Sequence, residues 1–300
     1  MAISRRRLLQ TAVTLTLASS MLPATAITRP PLQVVASFSI LADITRAIGG
    51  EAVDVKSLVP PGADAHVFSP SPADAQAVAK ADLLIINGLR HEGWISRLIK
   101  AVGYKRPVVV ATDGIKPRQT KGGADPHAWQ SLANVLVYVD NIRAALVAAR
   151  PEQAAAINAR AAGYRRQVVE LERETIERLA RFPAAQRRVV TGHDAFGYFA
   201  DAYGVEFIAP RGWSTDSEPS AEAVARIVRQ LREQRARVLL AESRSDPRLL
   251  DRIAKEAGVT IGGSLHADTL SPPGGEADTF LRLFRHNVDT LVDALSRAGS

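Results

Sequence analysis

Short apolar runs alternate with three- and four-residue apolar periodicity along most of this chain. Runs of β character stand at 33–36, 53–58, 83–87 and 108–111 in the first half, and at 188–191, 206–209, 238–242 and 260–263 in the second. Between them apolar positions recur at helical spacing over 40–48, 72–79, 93–102, 195–202, 221–234, 246–257 and 279–297. Strands alternating with helices argue for α/β units around mainly parallel sheets. Ser71-Pro72 is a clear helix start, a capping hydroxyl with proline at the first helical position.

Two longer helical patterns fill the middle. Leu132, Val135, Leu136, Val139, Ile142 and Leu146 share one face over 131–149. From 151 to 181 only Gly163 interrupts a second stripe, made by Ile157, Ala161, Tyr164, Val168, Leu171 and Leu179. Such a helix would be about 45 Å long, and a rigid helix running between two lobes accounts for that length. The alternative, a coiled coil, would need a better seam than about four heptads with Ala and Tyr in it, so a monomer is expected. The expected fold is α/β: two α/β lobes with mainly parallel sheets, an N-terminal lobe over 27–150 and a C-terminal lobe over 183–300, joined by a long rigid α-helix over 151–182. Ligands of such folds bind at the strand ends, here in the inter-lobe cleft. No sequence repeat relates the two halves.

The first 26 residues have a different character. Arg5, Arg6 and Arg7 precede a weakly hydrophobic stretch from Leu8 to Leu22, and Ala24-Thr25-Ala26 supplies the small residues of a signal-peptidase site. They read as an export signal cleaved after Ala26. Ser4-Arg5-Arg6-Arg7-Leu8-Leu9-Gln10 resembles a twin-arginine signal, with a general secretory signal as the alternative. No other apolar stretch looks long and uninterrupted enough to span a bilayer.

The chain contains no cysteine. Disulfides, thiolate metal sites, a thiol nucleophile and a lipid-bearing Cys are excluded, so a periplasmic protein with no lipid anchor is expected. Any metal must then be held by His and carboxylates. The formal net charge is +7, but aromatics are only 5%. The arginines from Arg226 to Arg237 surround Val224, Ile227, Val228 and Leu231 as the polar face of a helix. Nucleic acid is therefore not an expected partner.

The candidate chemistry lies in six histidines: His66, His91, His127, His193, His266 and His286. Four of them, His66, His127, His193 and His266, lie just past a strand or beside a loop, where side chains can converge on a cleft. Asp268 follows the same strand as His266. A lone loop histidine is most often bonded to backbone or water; recurrence at equivalent places in both halves argues for more. Three imidazoles and a carboxylate satisfy a tetrahedral zinc site, and manganese accepts the same set with room for another oxygen. His91 lies in a polar stretch and is expected to be exposed. His286 sits among Leu283, Phe284 and Val288 and reads as structural.

Several strings together resemble the periplasmic zinc and manganese receptors of ABC transporters. They are Pro61-Gly62-Ala63-Asp64-Ala65-His66-Val67-Phe68-Ser69-Pro70, Asn87-Gly88-Leu89, Asp125-Pro126-His127-Ala128-Trp129, His193-Asp194-Ala195-Phe196-Gly197-Tyr198, Glu218-Pro219-Ser220 and Ala267-Asp268-Thr269-Leu270. The resemblance implies metal ligands His66, His127, His193 and Asp268, with Zn(II) as the transported ligand and Mn(II) as the alternative. It also implies a membrane permease of an ABC transporter as partner, with a periplasmic zinc chaperone as a further one. The third ligand position in this family is sometimes a glutamate, often in manganese receptors, so His193 favours zinc. Ala65 stands where many relatives have proline. The segment 116–124 lacks the histidine-rich loop that many zinc receptors carry there.

A zinc hydrolase is the rival reading from another class. A full His₃Asp shell leaves no open position for an activated water, and neither HExxH nor Gly-x-Ser-x-Gly occurs. Glu242, at a strand end, would serve equally as a base or as a structural carboxylate.

Overall fold

The computed structural model describes residues 29–210, 220–234, 236–242 and 245–299; the export signal lies outside them. The first sheet grows from β1 (Leu32–Phe38), whose apolar residues are buried on both faces, as a central parallel strand requires. It leads through α1 (Ser39–Gly49) to β2 (Val53–Val59), then α2 (Pro72–Lys80), β3 (Leu83–Ile86), α3 (Ile95–Ala101) and β4 (Val108–Val110). The strands are all parallel, in the order β2-β1-β3-β4. Ser71 caps α2 as expected: its hydroxyl accepts from the Asp74 amide while Asp74 reaches back to the Ser71 amide.

A small hairpin, β5 (Gln119–Thr120) with β6 (Gly123–Ala124), fills the segment before Asp125. Next comes α4 (Leu132–Ala149), which has a mean hydropathy of 1.4 and passes for a membrane span by length and composition. That corrects the expectation that no stretch would. Its Leu132, Val135, Tyr138, Val139, Ile142 and Leu146 are buried, and it packs on α1 and on α5 (Ala154–Leu179).

The second sheet contains β7 (Arg188–Val190), β8 (Glu206–Ile208), β9 (Val238–Glu242) and β10 (Thr260–Leu265), with α6 (Gly197–Tyr203), α7 (Ala221–Glu233) and α8 (Pro247–Ala257) between them and α9 (Phe280–Gly299) closing the chain. Its order, β10-β9-β7-β8, places second, first, third and fourth strands side by side as in the first sheet. The two lobes therefore share a topology that no sequence repeat reveals. β10 runs two residues further than its pattern predicts, because Gly262-Gly263 is a bulge and not a terminator. A Cβ on Gly262 would lie 2.6 Å from Val238 and 2.8 Å from Ala294 on α9, so only glycine allows that approach.

The long helix joins the lobes. Its first turn is a separate 3₁₀ turn at Pro151–Gln153, so α5 has 26 residues and is about 39 Å long, shorter than expected. Ile157, Ala161, Tyr164, Val168, Leu171, Thr175 and Leu179 are its buried stripe. Near its start Arg160 donates to the carbonyls of Ile48 and Gly49 at the end of α1; near its end Arg178 pairs with Asp289 on α9. Gly163 lies mid-helix, and an added Cβ would meet nothing closer than Arg166 at 3.7 Å. Gly163→Ala is expected to stabilise the protein by ~1 kcal/mol, raising the melting temperature by about 2–4 °C in calorimetry.

Candidate metal centre

His66, His127, His193 and Asp268 come together, one ligand atom from each lying within 4.8 Å of the others. His66 and His127 belong to the first lobe, His193 and Asp268 to the second. Asp64 accepts the His66 amide at 2.8 Å, and Asp125 accepts the His127 amide at 3.0 Å. In both places an Asp two residues ahead turns the backbone and aims the histidine. His193 follows β7, and its amide donates to Glu242 at the end of β9, 2.9 Å away. Asp268 lies on the loop after β10, held to the first lobe by the indole N–H of Trp129 and the side-chain amide of Gln130, both donating to the Ala267 carbonyl.

The ring atoms face one another. His66 Nε2 and His127 Nε2 are 3.3 Å apart, and Asp268 Oδ2 is 3.1 Å from His193 Nε2 and 3.9 Å from His66 Nε2. His127 Nε2 is 3.6 Å from Asp268 Oδ1. A tetrahedron with zinc–nitrogen bonds of about 2.0 Å has edges of about 3.3 Å. Carboxylates stand behind two of the rings: Asp125 at 2.8 Å from His127 Nδ1 and Glu242 at 2.6 Å from His193 Nδ1. At His127 the carboxylate bonded to Nδ1 holds the proton there and turns the Nε2 lone pair toward a metal. Arg118 reaches the far oxygen of Asp125 at 3.3 Å and pairs also with Asp201 on α6.

Burial opposes ionisation throughout, yet the pair at the centre is ionised. It would raise Asp268, but His193, His127 and His66 hold its carboxyl far below the usual range. Burial likewise lowers His193, yet Asp268 and Glu242 push it up to about 11. His66 is lowered, chiefly by burial, and is neutral at pH 7.

Two sequence expectations change here. His91 is buried, not exposed: Leu89 and Arg90 adopt left-handed backbone (φ 51° and 65°), turning His91 and Glu92 inward. The His91 ring packs edge-on to His66 at 4.7 Å and to Trp129 at 4.9 Å, with neither nitrogen bonded. Desolvation, reinforced by His66, keeps it neutral. His266 points away from the four, toward Glu276. Asp125 is a supporting residue that strand pattern alone does not single out, the Asp-x-His spacing at 64–66 and 125–127 being its signal; Glu242, noted at its strand end, takes the place of a structural carboxylate behind His193.

Residues 34–294 match the family described as ZnuA, zinc-uptake complex component A, periplasmic. The chain belongs to this family. Among relatives of the ZnuA-family chain, the iron-binding protein YfeA of Yersinia pestis is 33% identical over 88% of this chain and 86% of that protein. The manganese-binding lipoprotein MntA of Bacillus subtilis is 33% identical, covering 88% and 90%. Among solved structures, the periplasmic zinc binding protein TroA of Treponema pallidum superposes with a TM-score of 0.82 at 28% identity, covering 89% of this chain and 99% of that one. The ZnuA-family chain is thus a substrate-binding receptor of a metal ABC transporter, acting with a membrane permease and its ATPase, and not an enzyme. The relatives are named for manganese, iron or zinc. Several are named lipoproteins, which overturns the expectation of a receptor without a lipid anchor. That expectation rested on missing cysteine alone, which speaks only to a lipid carried on a thiol.

Proposed function

We propose that the chain is a zinc receptor that holds one Zn(II) with His66, His127, His193 and Asp268 and yields it to the permease. The observation that carries this is the convergence of three imidazole nitrogens on one carboxylate between the lobes, with carboxylates behind two of the rings. One net negative charge and three neutral donors suit a borderline ion, and no water is needed to complete four-coordination. Manganese is the second reading, supported by the manganese-binding relatives and by a carboxylate with two oxygens to offer. The lobes are taken as 27–150 and 183–300 around the linking segment 151–182. The apolar stripe of α5 is covered within the chain, which supports a monomer that takes zinc from solution or from an accessory periplasmic donor. With α5 tied to both lobes, release proceeds by loop movement around His66, whose side chain is 30% exposed and so the most open of the four.

Elemental analysis of protein purified from a periplasm tests the metal: about one zinc per chain is expected, and one manganese instead would overturn zinc while leaving the receptor. The pH dependence follows from His193. It is protonated below about 11 when no cation is present, and must lose that proton to bind one. Between pH 7 and 9 affinity should therefore rise about tenfold per pH unit, with about one proton released per zinc. Calorimetry in buffers of different ionisation enthalpy reads that proton, and finding none released would refute the arrangement.

A further inference from the structure

A second group of metal-type donors stands apart from the first: His266, Glu276 and His286, each offering an atom within 4.8 Å of the others. His266 directly follows β10 and is held at both backbone ends by Asn287, which accepts its amide at 2.8 Å and donates to its carbonyl at 2.7 Å. His286 projects from α9 with its ring centroid 5.3 Å from that of His266. Glu276 lies on the loop between β10 and α9, and its Oε1 is 3.1 Å from His266 Nε2. That loop is built rather than slack: the Ser271 amide donates to the Ala277 carbonyl at 3.0 Å, and the Ser271 hydroxyl accepts the Ala277 amide at 3.1 Å.

We propose that these three residues form a second, weaker site for a borderline divalent ion such as zinc. Its donors are two imidazoles and one carboxylate, a zinc-type set with positions left open for solvent. The His266–Glu276 separation of 3.1 Å is close to the tetrahedral edge of about 3.3 Å that zinc bonds near 2.0 Å require. His286 Nε2 lies 3.0 Å from the Ser264 carbonyl, to which it donates; this leaves the Nδ1 lone pair for a metal, with the backbone carbonyl in the orienting role. The His266 ring is almost wholly buried, with Nδ1 unbonded, so its orientation is set by packing. Glu276, whose side chain is 59% exposed, opens the site to the surface and makes its ion exchangeable. His266 and Asp268 are two residues apart, at most about 7 Å of chain, so the second ion would sit beside the loop that carries the cargo carboxylate. The inference does not rest on the proposed zinc-receptor reading.

The test is a titration of tag-free protein with zinc against a chromophoric chelator, repeated with cobalt(II) read by its d–d absorption. Two binding steps are expected in the native chain. His286→Gln and Glu276→Gln should each weaken the second step by about 10- to 100-fold and leave the tight step within twofold. Asp268→Asn should remove the tight step and retain the weak one. Saturation of the native chain at one ion, in a step that Asp268→Asn removes, would overturn the proposal, as would a second step indifferent to both His286→Gln and Glu276→Gln. Loss of the tight step alone from the native chain would instead sink the receptor reading, with the second site intact.

Discussion

Asp268→Asn is expected to weaken zinc binding by about 10²–10⁴-fold at pH 7.5, with the protein still folded. Asp268 is the one charged donor of the four, and its oxygens lie 3.1–3.9 Å from all three ring nitrogens. Without it, a buried dication would face neutral imidazoles, with the nearest remaining carboxylates placed behind the rings. Removing one partner of a buried charge pair costs about 3–5 kcal/mol, and each 1.4 kcal/mol is a factor of ten. Competition with a chelator of known affinity measures this; a loss under tenfold would remove Asp268 from the site. The substitution should also change the metal-free protein. His193 is raised above its unfolded value near 6.5, so its pairing adds stability below that pH and loses it as pH climbs toward about 11. Asp268 is depressed, so its pairing is present above about 4 and lost on acidification. The native apoprotein should thus weaken from pH 7 to 9 while its affinity for zinc rises, and Asp268→Asn should reduce both slopes.

Trp129→Ala is expected to cost about 3–5 kcal/mol of stability, lowering the melting temperature by about 10 °C. Trp129 is fully buried, its ring lying against Phe38, His91 and His127, and its N–H bonds the Ala267 carbonyl at 2.9 Å across the lobes. Gln130 holds the same carbonyl at 2.8 Å, and Gly62 and Ser39 hold Thr269 and Leu270, so the loop would stay tethered while losing the bond nearest Asp268 on the Trp129 side. His127 and Asp268 would then be less well fixed, and zinc affinity should fall by at least tenfold. Thermal melts with and without zinc separate the two effects. A variant that melts within 2–3 °C of the native apoprotein would show that the cavity collapses.

Strand and helix positions were legible because the central strands are continuous apolar runs and the helices carry their own start signals. Ser71, Ser220 and Asp246 each cap the helix that follows. The errors came where local sequence has two readings. Gly262-Gly263 looks like a strand end and is a bulge that lets α9 approach. Asn87-Gly88-Leu89-Arg90-His91-Glu92 looks solvent-exposed, but Glu92 is buried and accepts the Asn87 amide at 2.6 Å. The four clustered residues were reached through a family resemblance; periodicity gave only their places past strands. Glu242 was noted at its strand end, but its partnership with His193 was not readable because 49 residues separate them and only the β7–β9 pairing brings them together. The shared strand order of the lobes was hidden for a similar reason, since topology can repeat while side chains do not.

The stripe on α5 has a thermodynamic consequence. Buried side chains run without a break from Leu32 in β1, through Ile157 to Leu179 on α5, to Leu295 on α9, so two sheets draw on one core. A lobe cut free at the end of α5 would expose the part of this core that it shares with the other. Unfolding should therefore be cooperative across both halves, a single calorimetric transition with matching van't Hoff enthalpy. The exception is the smaller cluster of Val224, Ile227, Leu231, Leu250 and Ile253 beneath α7 and α8, which is separate from that core. Those two helices should exchange their amide protons first, while the strands flanking His66 and His193 stay closed until the whole molecule opens.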